Sequence, residues 1–130
     1  NSMDIGSMTA ESYWPGADYV DILSMDAYNG FGSWWNSPLK VVQPMYKRLT
    51  ALHPTAPVWI SELGCRPVDP LKETYDRAQW YLDLMNIALM PRMEAIIFFS
   101  QKKEYDWRIS TDDVRVPIGN AIRGALPVAR

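Results

Sequence analysis

Pro57-Val58-Trp59-Ile60-Ser61-Glu62-Leu63-Gly64 decides how the chain folds. A proline and a glycine bracket six residues rich in β-branched and aromatic side chains, without clean polar alternation. Such a run reads as a strand buried on both faces of a parallel sheet. Strict alternation puts Val58, Ile60 and Glu62 on one face and Trp59, Ser61 and Leu63 on the other. Glu62 then stands at the C-terminal mouth of the strand, just before Gly64.

Similar runs lie upstream and downstream. Tyr19-Val20-Asp21-Ile22-Leu23-Ser24-Met25 follows the turn Pro15-Gly16 and gives way to Asn29-Gly30, and Ala95-Ile96-Ile97-Phe98-Phe99 forms the third. Strands are therefore expected near residues 20–26, 58–63 and 95–100. Between the first two, Val42, Met45, Tyr46, Leu49 and Leu52 recur at helical spacing, with Pro44 opening the regular part. Between the second and third, Asp69-Pro70 caps a helix whose stripe is Leu71, Tyr75, Ala78, Leu82, Met85 and Leu89, ended by Pro91. A last helix is expected from Pro117, with Ile118, Ala121, Ile122 and Ala125 on one face and Pro127 beyond.

The expected fold is α/β: about three βα units at intervals of roughly 40 residues, a partial (β/α)8 barrel or a doubly wound sheet. A complete barrel takes eight such units and about 250 residues, so three units in 130 residues make less than half of one. The opening octet NSMDIGSM resembles a vector-derived linker and is set apart, leaving a single domain over 9–130.

Composition excludes several classes. Thirteen Lys+Arg against fifteen Asp+Glu leave a net charge of −2, with no basic cluster beyond Lys102-Lys103 to meet nucleic acid. No apolar run approaches the roughly 18–20 residues that cross a bilayer. One cysteine, Cys65, and one histidine, His53, argue against a disulfide or a zinc site, and no metal or cofactor is expected. His53 reads as a surface residue and Cys65 as inert. Six tryptophans and seven tyrosines are many for this length; such residues build cores and also stack on sugar rings.

The strand exits gather chemistry. Asp26 and Tyr28 leave the first strand, Glu62 the second, and Glu104, Tyr105, Asp106, Trp107 and Arg108 follow the third. In parallel βα folds this is the end that binds ligands. A carboxylate beside a phenol, ringed by tryptophans, suits attack on an oxocarbenium-like centre. Each residue also has a plainer reading: Glu62 as a cap or ion-pair partner, Asp26 as a buried acceptor of loop N–H groups. Trp34-Trp35 can plug a loop, and Trp59 and Trp80 read as packing on the helix side.

Three stretches, in order and together spanning Tyr13 to about Leu126, resemble family 26 glycoside hydrolases. Pro15 to Ile22 with Asp26-Ala27-Tyr28-Asn29 is similar to their sixth strand, and Val58 to Gly64 to the seventh. Ile96 to Phe99 with Asp106-Trp107-Arg108-Ile109 is similar to the eighth strand and its loop. The resemblance implies a retaining enzyme acting on a β-1,4-linked plant polysaccharide, mannan or glucan. It implies Glu62 as nucleophile and Tyr28 as the phenol that hydrogen-bonds it. Trp34, Trp35, Trp107, Asp26, Arg108 and Phe98 become substrate-binding candidates, Phe98 or Phe99 standing where the family has a tryptophan. It further implies a secreted bacterial protein whose signal peptide lies outside this chain.

The family's acid/base glutamate sits on the fourth strand, upstream of the matched region. Two outcomes remain open. One is a hydrolase whose acid comes from a partner chain or from Asp26, Glu104 or Asp106. The other is a non-catalytic sugar-binding partial barrel or inactive fragment. Exposed sheet edges and an inward face carrying Ile22, Ser24, Val58 and Ile60 lead us to expect a homodimer or larger assembly that completes the sheet. Other α/β chemistry is disfavoured, because no Gly-rich phosphate loop follows any strand.

Overall fold

The computed structural model describes residues 3–4, 6–31, 34–67, 76–85 and 90–125. Three strands, β1 (Leu23–Asn29), β2 (Val58–Cys65) and β3 (Met93–Phe98), form one parallel sheet in that spatial order. Helices α1 (Pro38–Leu52), α2 (Arg77–Met85) and α3 (Asp112–Ala125) follow the strands in turn. This is a mixed α/β run of βα repeats with an open three-stranded sheet.

The core lies on one side of that sheet. Leu23, Met25 and Ala27 of β1 and Val58, Ile60, Leu63 and Cys65 of β2 share a cluster with Val42, Met45, Tyr46 and Leu49 of α1 and Trp80, Tyr81 and Leu84 of α2. Each fully buried aliphatic side chain contributes about 1.5–3 kcal/mol. Val114 and Ile118 bring α3 into the same cluster. The strands were expected to be buried on both faces; instead β1 alternates, with Ser24 exposed and Asp26 and Tyr28 half-buried on the other face.

A bulge changes the face assignment of β2. Met25 pairs with Ile60 but Asp26 pairs with Glu62, so Ser61 is the extra residue. A bulge of this kind re-aims the side chains beyond it. Val58 and Ile60 therefore face the helices with no exposed surface, while Glu62 lies on the open face beside Asp26. The expectation that Glu62 shares a face with Val58 and Ile60 fails for this reason. With it fails the expectation that those two residues meet water in a lone chain. Trp59, expected on the helix side, pairs with Ser24 on the open face.

Element boundaries also shift. β1 starts later than expected because a 3-10 turn, Ala17–Tyr19, consumes the residues after Gly16 and leaves Tyr19 exposed. β3 starts two residues early. Pro38 occupies the first turn of α1, so Pro44 lies inside the helix, where it removes one i→i−4 donor. Pro117 likewise falls inside α3, which begins at Asp112-Asp113, two acids favourable at a helix N-terminus. In α2 the buried stripe is Arg77, Trp80, Tyr81 and Leu84, with Leu82 and Met85 half-buried. The expected cap Asp69-Pro70, together with Leu71, Tyr75, Leu89 and Pro127, lies outside the described residues.

The opening segment, set apart in sequence, packs on the domain: Arg48 of α1 ion-pairs with Asp4 at 2.9 Å and with Glu11. His53 is half-buried, not a free surface residue; its Nδ1 accepts the N–H groups of Thr55 and Ala56. Among the described residues no helix is long and apolar enough to cross a membrane.

Candidate active site

At the C-terminal end of the sheet, the Tyr28 hydroxyl donates to Glu62 Oε2 at 2.6 Å. Both residues stand on the open face, Glu62 exposed and Tyr28 half-buried. Burial first, then the hydrogen bond to this carboxylate, raises the phenol well above its ordinary pKa. Tyr28 therefore keeps its proton throughout the neutral range and remains a donor.

A close backbone approach fixes the phenol ring. Tyr28 pairs with Gly64 across β1 and β2, and a Cβ added at Gly64 would stand 2.7 Å from the Tyr28 ring and 3.0 Å from Trp107. Only glycine allows both rings to settle on β2 there. Trp107 lies 5.1 Å from Tyr28, edge to face, and Phe99 approaches Tyr28 at 5.7 Å from the end of β3. Phe31 and Tyr105 close the group around Trp107 at 5.3 and 5.4 Å. The Arg66 guanidinium lies 4.3 Å from the Tyr105 ring centre.

Trp107, expected among the substrate-binding residues, is therefore fully buried: the rings of Tyr28, Phe31 and Tyr105 and the β2 backbone enclose it. Its Nε1, like that of Trp59, has no hydrogen-bond partner among the described residues. Phe98 also lies apart from the expected site, since its ring packs on Tyr81 of α2 at 5.5 Å. Phe99 is the residue that reaches Tyr28.

The two loop tryptophans go separate ways. Trp34 is 65% exposed and lines a cavity of about 660 Å³ with Tyr28, Gly30, Phe31, Lys40 and Pro44. Such a volume is ordinary for a ligand pocket. Trp35 packs against the hydrophobic core instead. Asp26 neighbours Glu62 by register. Arg108 turns onto Asp106, 2.7 Å away, and holds that carboxyl well below the usual carboxylate range. The structure thus gathers Tyr28, Glu62 and Asp26, brings Trp34 to the adjoining cavity, and leaves Phe98 and Trp35 apart.

Two residues passed over in sequence shape this end. Phe31 belongs to both the aromatic group and the cavity. Arg77, 3% exposed, donates to the Asp106 carbonyl at 2.8 Å, to Thr111 Oγ1 at 2.6 Å and to both carboxylate oxygens of Asp113. Cys65 is buried, and that burial pushes its thiol up to about 12, so it is no nucleophile at neutral pH. Among the described residues no group of three or more His, Cys, Asp or Glu side chains is arranged to hold a metal ion.

No family model matches the chain. The chain is similar to Endoglucanase H of Acetivibrio thermocellus. The two are 28% identical over 119 residues, covering 85% of this chain and 12% of that protein. The chain thus spans a small part of its relative's length.

Proposed function

We propose that the chain carries the nucleophile side of a glycoside hydrolase site for a β-1,4-linked plant polysaccharide, glucan or mannan. The observation that carries the reading is the 2.6 Å hydrogen bond from Tyr28 to Glu62 on the open face at the strand exits. The likeness to an endoglucanase supports the same class of chemistry. On this reading the chain corresponds to the sixth to eighth βα units of a family 26-like barrel. Its polymeric substrate requires export from the cell.

The phenol fixes Glu62 Oε2 and leaves Oε1 to attack the anomeric carbon. The C–O bond to the leaving sugar breaks as a glycosyl ester to Glu62 forms, and water later hydrolyses that ester with net retention. Trp34 supplies an indole face on which a pyranose of the same chain stacks in the adjoining cavity. The leaving oxygen needs a proton from a second carboxyl group about 5–5.5 Å from the first. Asp106 is unsuited to that task, because Arg108 keeps it ionised. The acid comes from Asp26, from Glu104 or from a second polypeptide segment, including another copy of the chain.

The test is release of reducing ends from barley glucan, carboxymethylcellulose, mannan and xylan by the purified chain, with and without EDTA. Hydrolysis of glucan or mannan that survives EDTA is expected. Binding of these polymers without turnover would instead make the chain a sugar-binding module.

A further inference from the structure

We propose that Arg77 is a positioning residue that sets the Tyr28–Glu62 pair through Trp107. Its kinetic consequence rests on the function proposed above; its structural consequence does not. Arg77 opens α2 and is nearly inaccessible, yet its donors reach three points across the following loop and helix. It grips Asp113 in the first turn of α3 through Nε at 2.7 Å and Nη2 at 3.0 Å, and Thr111 at 2.6 Å. Nη1 holds the main-chain carbonyl of Asp106 at 2.8 Å.

The next residue along is Trp107. Its own N–H donates to the Gln101 carbonyl at 3.1 Å, and Lys102 and Asp106 pair antiparallel, so residues 101–107 form a small closed loop. Arg77 pins that loop at one residue before the indole. The indole forms the wall against which the Tyr28 ring rests, and Tyr28 holds Glu62. A planar guanidinium with fixed donors suits such a three-point clamp; the single ammonium of lysine does not. Arg77 itself is buried, and it therefore acts only through what it holds.

The experiment is a double-variant cycle on the full chain with Arg77→Met, Tyr28→Phe and the pair, assayed on the polysaccharide that the unaltered chain cleaves. Arg77→Met should lower kcat about tenfold to a hundredfold with KM little changed. In the Tyr28→Phe background that loss should shrink to less than threefold, because the hydroxyl that the clamp positions is already absent. Full, additive loss in both backgrounds overturns the proposal in favour of a merely structural role. Asp113→Asn, which weakens the same clamp, gives a second variant should Arg77→Met fail to fold, and it should show the same non-additivity.

Near-ultraviolet circular dichroism supplies a readout free of activity. Trp107→Phe and Tyr28→Phe define the band that arises from this ring pair, and Arg77→Met or Asp113→Asn should remove most of it while the far-ultraviolet spectrum stays unchanged. An intact band overturns the proposal. Lack of hydrolysis by the unaltered chain would refute the proposed function alone and leave the spectroscopic result to decide the role of Arg77.

Discussion

Each end of the sheet is fastened by an arginine, and the two arginines serve different ends. At the entry end, Arg92 donates through Nε and Nη2 to the Ala56 carbonyl and through Nη1 to that of Thr50, while its own N–H bonds the Tyr46 hydroxyl. These contacts tie β3 to α1 and to the approach to β2, and they end there. At the exit end, the clamp of Arg77 leads onward to a buried indole whose N–H has no partner among the described residues, a proton-locked phenol and an exposed carboxylate. Closed bonding marks a region that holds the fold. Donors and acceptors left available above a firm support mark a region that meets a ligand.

That contrast can be broken from either end. The largest effect belongs to Glu62→Ala, which should reduce hydrolysis by several orders of magnitude while leaving the thermal unfolding midpoint nearly unchanged, since the side chain is exposed. Near-normal rates in steady-state assays would remove Glu62 from the chemistry. Tyr28→Phe should follow, with turnover down about 10- to 1000-fold for the loss of one donor to the carboxylate. Arg92→Met should do the reverse: a stability loss of about 1–3 kcal/mol in urea unfolding, with turnover per folded molecule unchanged. If Arg92→Met also slows turnover, the two ends are not separable.

The smallest effect is alkaline. The Cys65 thiol is raised from 9.0 to about 12 by burial, and Tyr28 and Tyr81 are raised for the same first reason. Each keeps its proton in the folded chain and loses it first when unfolded. Stability from these groups is therefore complete below about pH 9 and declines as pH climbs toward 12. The urea midpoint should fall across pH 9–11, and Cys65→Ala should flatten the first part of that fall.

Much of this architecture is written locally in the chain, and what is not can be named. Three βα units, the strand-exit position of Glu62 and the gathering of acids and aromatics at one end follow from short-range pattern alone. The side on which Glu62 stands does not, because one extra residue at Ser61 reverses parity within β2. The burial of Trp107 depends on the rings of Tyr28, Phe31 and Tyr105 and on Gly64, whose meaning is steric and appears only in three dimensions. Arg77 escapes notice because a charge on a helix reads as solvent-facing. Its place at the head of the stripe Arg77, Trp80, Tyr81, Leu84 is the one hint that it points inward.

Ser61 has a consequence for anyone who edits or transplants this strand. A β-strand works as a binary code in which odd and even positions are sent to opposite sides, and an inserted residue inverts the code for everything downstream. Deleting Ser61 would leave a tidier ladder and a nearly identical composition. It would leave Glu62 opposite Asp26 on the open face and Leu63 in the core, since Ile60, Glu62 and Leu63 would then alternate without interruption. What would send Glu62 into the core is a transplant that keeps Ser61 but straightens the ladder, so the eight-residue strand is portable only together with its bulge.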